Sequence, residues 1–251
     1  MSKHVTTMTI YDVGHYSDEE RDTIIKGYPA HEREARSKGI PTMGSGRIFP
    51  IEEDAISFDL GAQEFPSHWV WIGGLDFGWD HPTAAAKLAW DRDNDVVYVT
   101  QAYKRREATP LIHAGALKPW GEWLPWAWPH DGLQHDKTSG DTLAEQYRNH
   151  GLNMLHERAK FEDGSNGVEA GLMDMLDRMQ TGRLKVASHL SEWFDEFRLY
   201  HRDNGKVVKE YDDLMSATRY GIMCLRFAKN EDDGYSDYED TYHHGSSGWM
   251  A

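Results

Sequence analysis

Apolar and polar positions fall into blocks that predict strands alternating with helices. Val70-Trp-Ile-Gly-Gly-Leu-Asp-Phe77 reads as a strand, and Thr83 to Trp90 and Asp95 to Lys104 read as two more, with Asp91-Arg-Asp-Asn94 as the turn between them. Thr109 to Trp120 is helical, and Leu124, Trp126 and Trp128 alternate in a short fourth strand. A helix over Asp141–His150 precedes an apolar tetrad, Asn153 to His156. From Val168 to Gln180, helical spacing puts Val168, Leu172, Met175, Leu176 and Met179 on one face. Leu184 to Ala187 is a short strand, Leu190 to Arg202 a helix, and Asp212 to Phe227 a closing helix with Leu214, Thr218, Ile222 and Leu225 inward. Three adjacent strands, then helix and strand in alternation, predict an α/β mixed sheet with helices on both faces.

Residues 1–50 have a different texture. Ser17-Asp-Glu-Glu20 has capping-box spacing before a short helix through Ile24 and Ile25. A second helical piece, His31 to Lys38, stops at Gly39 with Pro41 beyond it. A Gly-rich turn, Gly44-Ser-Gly46, leads to a strand candidate from Arg47 to Ile51. Such a segment is too small for its own core and must pack on a neighbour. We therefore divide the chain into a linker segment (1–50), a folded domain (51–229) and a tail (230–251).

Composition narrows the function. With 27 basic and 42 acidic side chains the formal net charge is −15 over 251 residues, which disfavours a passive nucleic-acid coat but not an enzyme that meets DNA through a local patch and metal ions. The tail carries six acids and no Lys or Arg, and reads as poorly ordered. No apolar run reaches the ~18 residues of a membrane span, and the N-terminus has no secretory h-region. A single cysteine, Cys224, excludes disulfides and Cys-based zinc sites and points to a reducing cytosolic setting.

Three carboxylate positions stand out. Asp76 ends the first strand in Gly74-Leu-Asp-Phe-Gly78, Asp131 follows the fourth in Trp128-Pro-His-Asp-Gly132, and Asp212 and Asp213 open the last helix. If the first and fourth strands are parallel neighbours, Asp76 and Asp131 emerge side by side where α/β sheets gather ligands. Adjacent carboxylates resist ionising together unless a cation neutralises them, and oxygen-only ligands favour Mg²⁺ or Mn²⁺. Two such ions about 3.5–4 Å apart suit phosphodiester cleavage. A basic set, Lys104, Arg105, Arg106, Lys137, Arg183 and Lys185, sits at predicted strand and loop ends and could face DNA. Trp120, Trp123, Trp126 and Trp128 suit core packing better than base stacking. His81 and His130 suit hydrogen bonding, and Glu169 complements a helix dipole.

Together these segments resemble the nuclease domain of tailed-phage terminase large subunits, of the ribonuclease-H-like superfamily. The resemblance covers most of residues 8–229. It rests on Pro29-Ala-His-Glu-Arg-Glu-Ala-Arg36, Gly39-Ile-Pro41, Gly44-Ser-Gly-Arg-Ile-Phe-Pro50, Gly74-Leu-Asp-Phe-Gly-Trp-Asp-His-Pro-Thr-Ala84, Trp128-Pro-His-Asp-Gly132, Glu162-Asp-Gly-Ser-Asn166, Val168-Glu-Ala-Gly-Leu172 and Asp212-Asp-Leu-Met-Ser-Ala-Thr-Arg-Tyr220. It implies a ribonuclease-H-like mixed sheet in which Asp76, Asp131 and one or both of Asp212 and Asp213 bind two divalent metals and cut concatemeric viral DNA during packaging. It also implies double-stranded DNA, an ATPase domain, a small terminase subunit and the portal as partners, in the cytoplasm of the bacterial host. Residues 8–50 look like the connection that follows the packaging ATPase. No G-x-x-x-x-G-K-[ST] occurs, so the chain is expected to be a nuclease portion, excised or from a split gene, without ATP-driven translocation. Other readings are a resolvase- or transposase-like nuclease of the same superfamily, or a non-catalytic docking module, which has no use for converging carboxylates.

Position suggests how Asp212 and Asp213 divide their work. Asp212 sits where an N-cap is wanted and is expected to spend its carboxylate on the first turn, whereas Asp213 is expected to be free for a cation.

Overall fold

The computed structural model describes residues 9–14, 16–28, 37, 46–135 and 140–231. Seven strands make one sheet in the order β1-β7-β4-β3-β2-β5-β6: β1 (Ser57–Phe58), β2 (Val70–Asp76), β3 (Thr83–Asp91), β4 (Val96–Arg105), β5 (Pro125–Ala127), β6 (Asn153–Met154) and β7 (Leu184–Ala187). Only β3 runs antiparallel to its neighbours, so the other six strands point one way. β2 and β5 are parallel neighbours, the arrangement that brings Asp76 and Asp131 to one edge.

The helices are α1 (Asp18–Gly27), α2 (Glu53–Ile56), α3 (Pro110–Leu117), α4 (Leu143–Asn149), α5 (Val168–Gln180), α6 (Ser191–Leu199) and α7 (Asp213–Met223). Side chains of β2 and β3 alternate between two apolar layers. Ile72, Ala84, Ala86 and Leu88 join α5, α6 and α7 in one, and Leu75 and Ala85 join α3, α4, Trp126 and Trp128 in the other. The tryptophans at 126 and 128 are thus core, and Trp120 and Trp123 pack against the same layer.

Gly73 and Gly74 mark where both layers close in. A Cβ on Gly73 would lie 2.4 Å from the Trp126 ring, and one on Gly74 would lie 1.9 Å from the Ala217 carbonyl oxygen. Backbone of α7 therefore rests directly on backbone of β2, which fixes the depth at which the helix sits.

Several elements differ from the predicted pattern. Instead of a strand at Arg47–Ile51 there is a single antiparallel bridge from Arg47 to His201, while Ile48 and Phe49 are buried in the main core, Phe49 stacked on Phe197. Packing contacts thus cross the boundary drawn at residue 50. The 190–202 helix stops at Leu199 and the chain turns into a hairpin, β8 (Arg202–Asp203) and β9 (Lys206–Val207). Its turn, Asn204-Gly205, has positive φ at both residues, +48° and +78°. That Asn-Gly pair is the sequence signal for such a hairpin. Thr142 caps α4, accepting the Glu145 N–H. Ser17 caps α1 as its spacing predicts. The helix expected at 31–38, apart from Ser37, and the tail from 232 onward lie outside the described residues. None of the helices of the described residues is long and apolar enough to cross a membrane.

Candidate active site

The C-terminal ends of β2, β4 and β5 lie along one edge of the sheet. Register places Asp76 opposite Ala84 and Ala84 opposite Lys104, a cross-strand row on the face covered by α7. Asp131 lies in a short 3-10 turn, His130–Leu133, just past β5. α7 starts above this edge, bringing Asp212 and Asp213. A cavity of about 510 Å³ is lined by all four carboxylates, with Lys206, Lys209 and Arg219 on other parts of its wall.

The carboxylates perturb one another. Burial raises the Asp76 carboxyl well above the usual range. The charge of Asp212 adds to this, Arg219 pulls the other way, and Asp213 and Asp131 push it up again. Burial also raises Asp212, with the neighbouring Asp213 adding to it and Lys209 and His81 opposing. A divalent cation is the species that would relieve this crowding, and an all-oxygen donor set suits Mg²⁺ or Mn²⁺ chemistry. Among the described residues no three His, Cys, Asp or Glu side chains stand close enough to hold one ion, so the four acids surround the cavity without meeting at a point.

The division of labour expected at the start of α7 does not hold for either residue. Asp212 makes no capping hydrogen bond. The cap comes from α6, where the Glu196 carboxylate accepts the N–H groups of Leu214 (2.6 Å) and Met215 (3.3 Å). Asp213 is not free either: it is buried, 3.1 Å from the Lys104 ammonium, which also bonds Glu196. Burial works to lower the Lys104 pKa, but Glu196 and Asp213 together raise it. Burial pushes Glu196 up to about 6 against the pull of Lys104.

Lys104 is therefore an internal cation, not part of an outward patch. The other basic positions separate. Arg105 and Arg106 are exposed at the end of β4, on the same edge of the sheet as the carboxylates, with Arg105 near the Tyr103 hydroxyl on the face away from α7. Arg183 precedes β7 at the opposite end of the sheet and is held by Asp95 (2.6 Å) and Asp177. Lys185 bonds the Ala55 carbonyl at 2.9 Å. These two do not join a surface with Arg105 and Arg106, because they lie at the start of β7, which pairs with the start of β4, Lys185 opposite Tyr98. Lys137 lies outside the described residues. Glu169, which faces the cavity at the start of α5, is paired with Arg202.

Glu196, Arg219, Lys206 and Lys209 were absent from the sequence reading. The first two carried a signal. Glu196 falls on the same helical face as Trp193, Phe197 and Tyr200, and Arg219 on the face of Met215, Ile222 and Met223. A charge on an apolar face needs a reason, and here Arg219 lines the cavity while Glu196 caps α7 and bonds Lys104.

Comparison with known proteins agrees with this geometry. A family model described as the terminase RNaseH-like domain matches residues 73–225. The chain belongs to that family. A second model, for the N-terminal part of T4-like terminase large subunits, matches residues 1–56. The terminase large subunit of Salmonella phage P22 is 51% identical over 229 residues, covering 91% of this chain and 46% of that protein. The chain thus spans about half the length of that curated relative. The solved P22 large terminase nuclease domain is 48% identical with a TM-score of 0.71, covering 77% of this chain and all of that one. The large terminase of a thermophilic bacteriophage, solved in complex with ADP, shares the fold at 17% identity and TM-score 0.58, over 87% of this chain and 55% of that one. The mixed sheet with helices on both faces is thus ribonuclease-H-like.

Proposed function

We propose that this chain is the nuclease portion of a phage terminase large subunit: a divalent-metal-dependent endodeoxyribonuclease that cuts concatemeric viral DNA during packaging. The observation that carries the proposal is the convergence of Asp76, Asp131, Asp212 and Asp213, from three separate segments, on one cavity at the strand ends. Its support is near half identity to the solved P22 nuclease domain.

Asp76, Asp131 and Asp212 would hold two ions, Mg²⁺ or Mn²⁺. Asp213, kept in place by Lys104, would present its remaining oxygen. Bound divalent ions supply an activated water and neutralise charge on the scissile phosphate. The protein's part is to fix four carboxylates on rigid elements around one cavity, their crowding to be offset by the bound ions. Arg105 and Arg106 would meet the DNA backbone beside the cavity. Such contacts hold phosphate and carry little base preference. By family, the partners would be double-stranded DNA, the terminase ATPase domain, the small subunit and the portal, in the cytoplasm of the infected bacterium.

Plasmid nicking tests this. The chain should nick supercoiled DNA with Mn²⁺ or Mg²⁺ and be silent in excess chelator, and Asp76→Asn should abolish nicking with an unchanged circular dichroism spectrum. Cleavage undiminished in chelator would overturn the proposal.

A further inference from the structure

Arg219 is 3% exposed and lines the cavity two turns below Asp212. Elsewhere in the fold, Arg178, Arg183, Arg198 and Arg202 each meet a carboxylate. Among the described residues Arg219 meets none within 4 Å. Its Nε has no hydrogen-bond partner, its Nη1 meets the Met223 sulfur at 3.7 Å, and its guanidinium also interacts with the Tyr220 hydroxyl. Its guanidinium lies 4.3 Å from the Tyr220 ring centroid.

A guanidinium cannot shed its proton to escape burial, so an unpaired one is costly. The charge of nearby Asp76 compensates at a distance but leaves Nε without an acceptor and Nη1 with only a weak sulfur partner. The fold also makes room for this side chain. A Cβ on Gly171 of α5 would sit 2.6 Å from Arg219 Cδ, so α5 gives up a side chain where the arginine passes. Together with the Tyr220 ring, this fixes the direction of the fork.

We propose that Arg219 binds a non-bridging phosphate oxygen of the DNA strand in the cavity, a substrate contact within the nuclease reading above. A planar fork matches phosphate bidentately. A free carboxylate-bearing ligand would be repelled by four acids, whereas a phosphodiester can share its charge between Arg219 and cations held by those acids. Lys206 and Lys209 add two further cations to the cavity lining, Lys209 close enough to act on Asp212.

The full chain carrying Arg219→Met or Arg219→Lys tests this. Melting, Mn²⁺ titration by calorimetry, anisotropy of a labelled DNA duplex across a KCl series in Ca²⁺, and Mn²⁺ nicking should be read together. We expect Arg219→Met to melt no lower than the parent and to bind Mn²⁺ at least as tightly, since a neighbouring cation has gone. Nicking should fall about 100-fold or more, the scale for a lost contact to developing charge. The log–log salt slope should flatten by about one, as for one lost phosphate contact. Arg219→Lys should recover part of the rate, having the charge without the fork. A folded Arg219→Met that nicks within threefold of the parent with the parental slope overturns the proposal. So does a parallel loss of Mn²⁺ binding, which would make Arg219 a support of the carboxylates. If Arg219→Met does not fold, Arg219→Lys decides, and a parental rate refutes the bidentate grip. A parent that fails to nick defeats the nuclease reading instead, while the salt slope still reports on Arg219.

Discussion

Replacing Lys104 by Met removes the cation from a buried cluster and leaves the rest in place. The Lys104 side chain is 19% exposed, Glu196 2% and Asp213 9%. Breaking a buried pair by removing one partner costs about 3–5 kcal/mol, because the other charge stays buried. Glu196 keeps the N–H groups of Leu214 and Met215 and the positive end of α7, which favours the lower end, about 3 kcal/mol. At roughly 2–4 °C per kcal/mol for a chain of this size, Lys104→Met should melt about 6–12 °C lower. Urea unfolding should show a reduced midpoint at unchanged slope. The loss should depend on pH. Glu196 already has a folded pKa of about 6, above its ordinary 4.5, so the folded state binds more protons than the unfolded one between those values. Stability from this group therefore falls as pH rises through that window. Without Lys104 its folded pKa moves higher still, so the deficit should be largest at neutral pH and shrink toward pH 5. A variant within 1 kcal/mol of the parent at pH 7.5 but weaker on DNA would refute the internal-cation assignment and return Lys104 to the DNA surface.

At the start of α7, Asp212→Asn should cost activity without stability, since Asp212 caps nothing, whereas Asp213→Asn should lose activity and destabilise by about 1–3 kcal/mol through Lys104; nicking and urea curves on both separate the effects, and the reverse pattern counts against the geometry. Arg105→Gln and Arg106→Gln should weaken DNA binding and flatten its salt dependence by about one each, while Arg183→Gln and Lys185→Gln should leave it unchanged; anisotropy titrations decide. Gly74→Ala should destabilise by about 3 kcal/mol or more, because its methyl meets the α7 backbone, whereas Gly221→Ala, which meets the movable Leu88 Cδ1 at 2.7 Å, should cost about 1 kcal/mol, as measured by thermal melts.

Much of the sheet was legible because its signals are local. The strands at 70–76, 83–91 and 96–105 and the 168–180 helix follow from alternation, a turn and an apolar stripe, all within one segment. Asp76 and Asp131 could be brought to one edge because each follows a strand and the two strands lie parallel side by side. The start of α7 was misread because its cap comes from Glu196, eighteen residues earlier, and its cation from β4. No periodicity within the helix contains that information. The basic patch failed for the same kind of reason: Lys104 and Arg105 are adjacent in sequence, yet strand alternation turns one inward onto α7 and the other toward solvent. The hairpin after α6 was readable from Asn204-Gly205, but its strands of two residues each were too short to interrupt the helical reading.

The outermost strands of the sheet, β1 and β6, are each two residues long. Neither offers a second chain a ladder long enough to dock on, which is how natural sheets discourage edge-to-edge association. β1 does this for β7, with Phe58 also accepting the Ser188 N–H at 2.9 Å. A version of the chain trimmed to begin after residue 58 would keep every carboxylate of the cavity and yet bare the β7 edge, together with the apolar surface that Phe49 and Ile56 now cover. Such a trimmed domain should self-associate in proportion to its concentration, so the segment ahead of the first long strand governs colloidal behaviour.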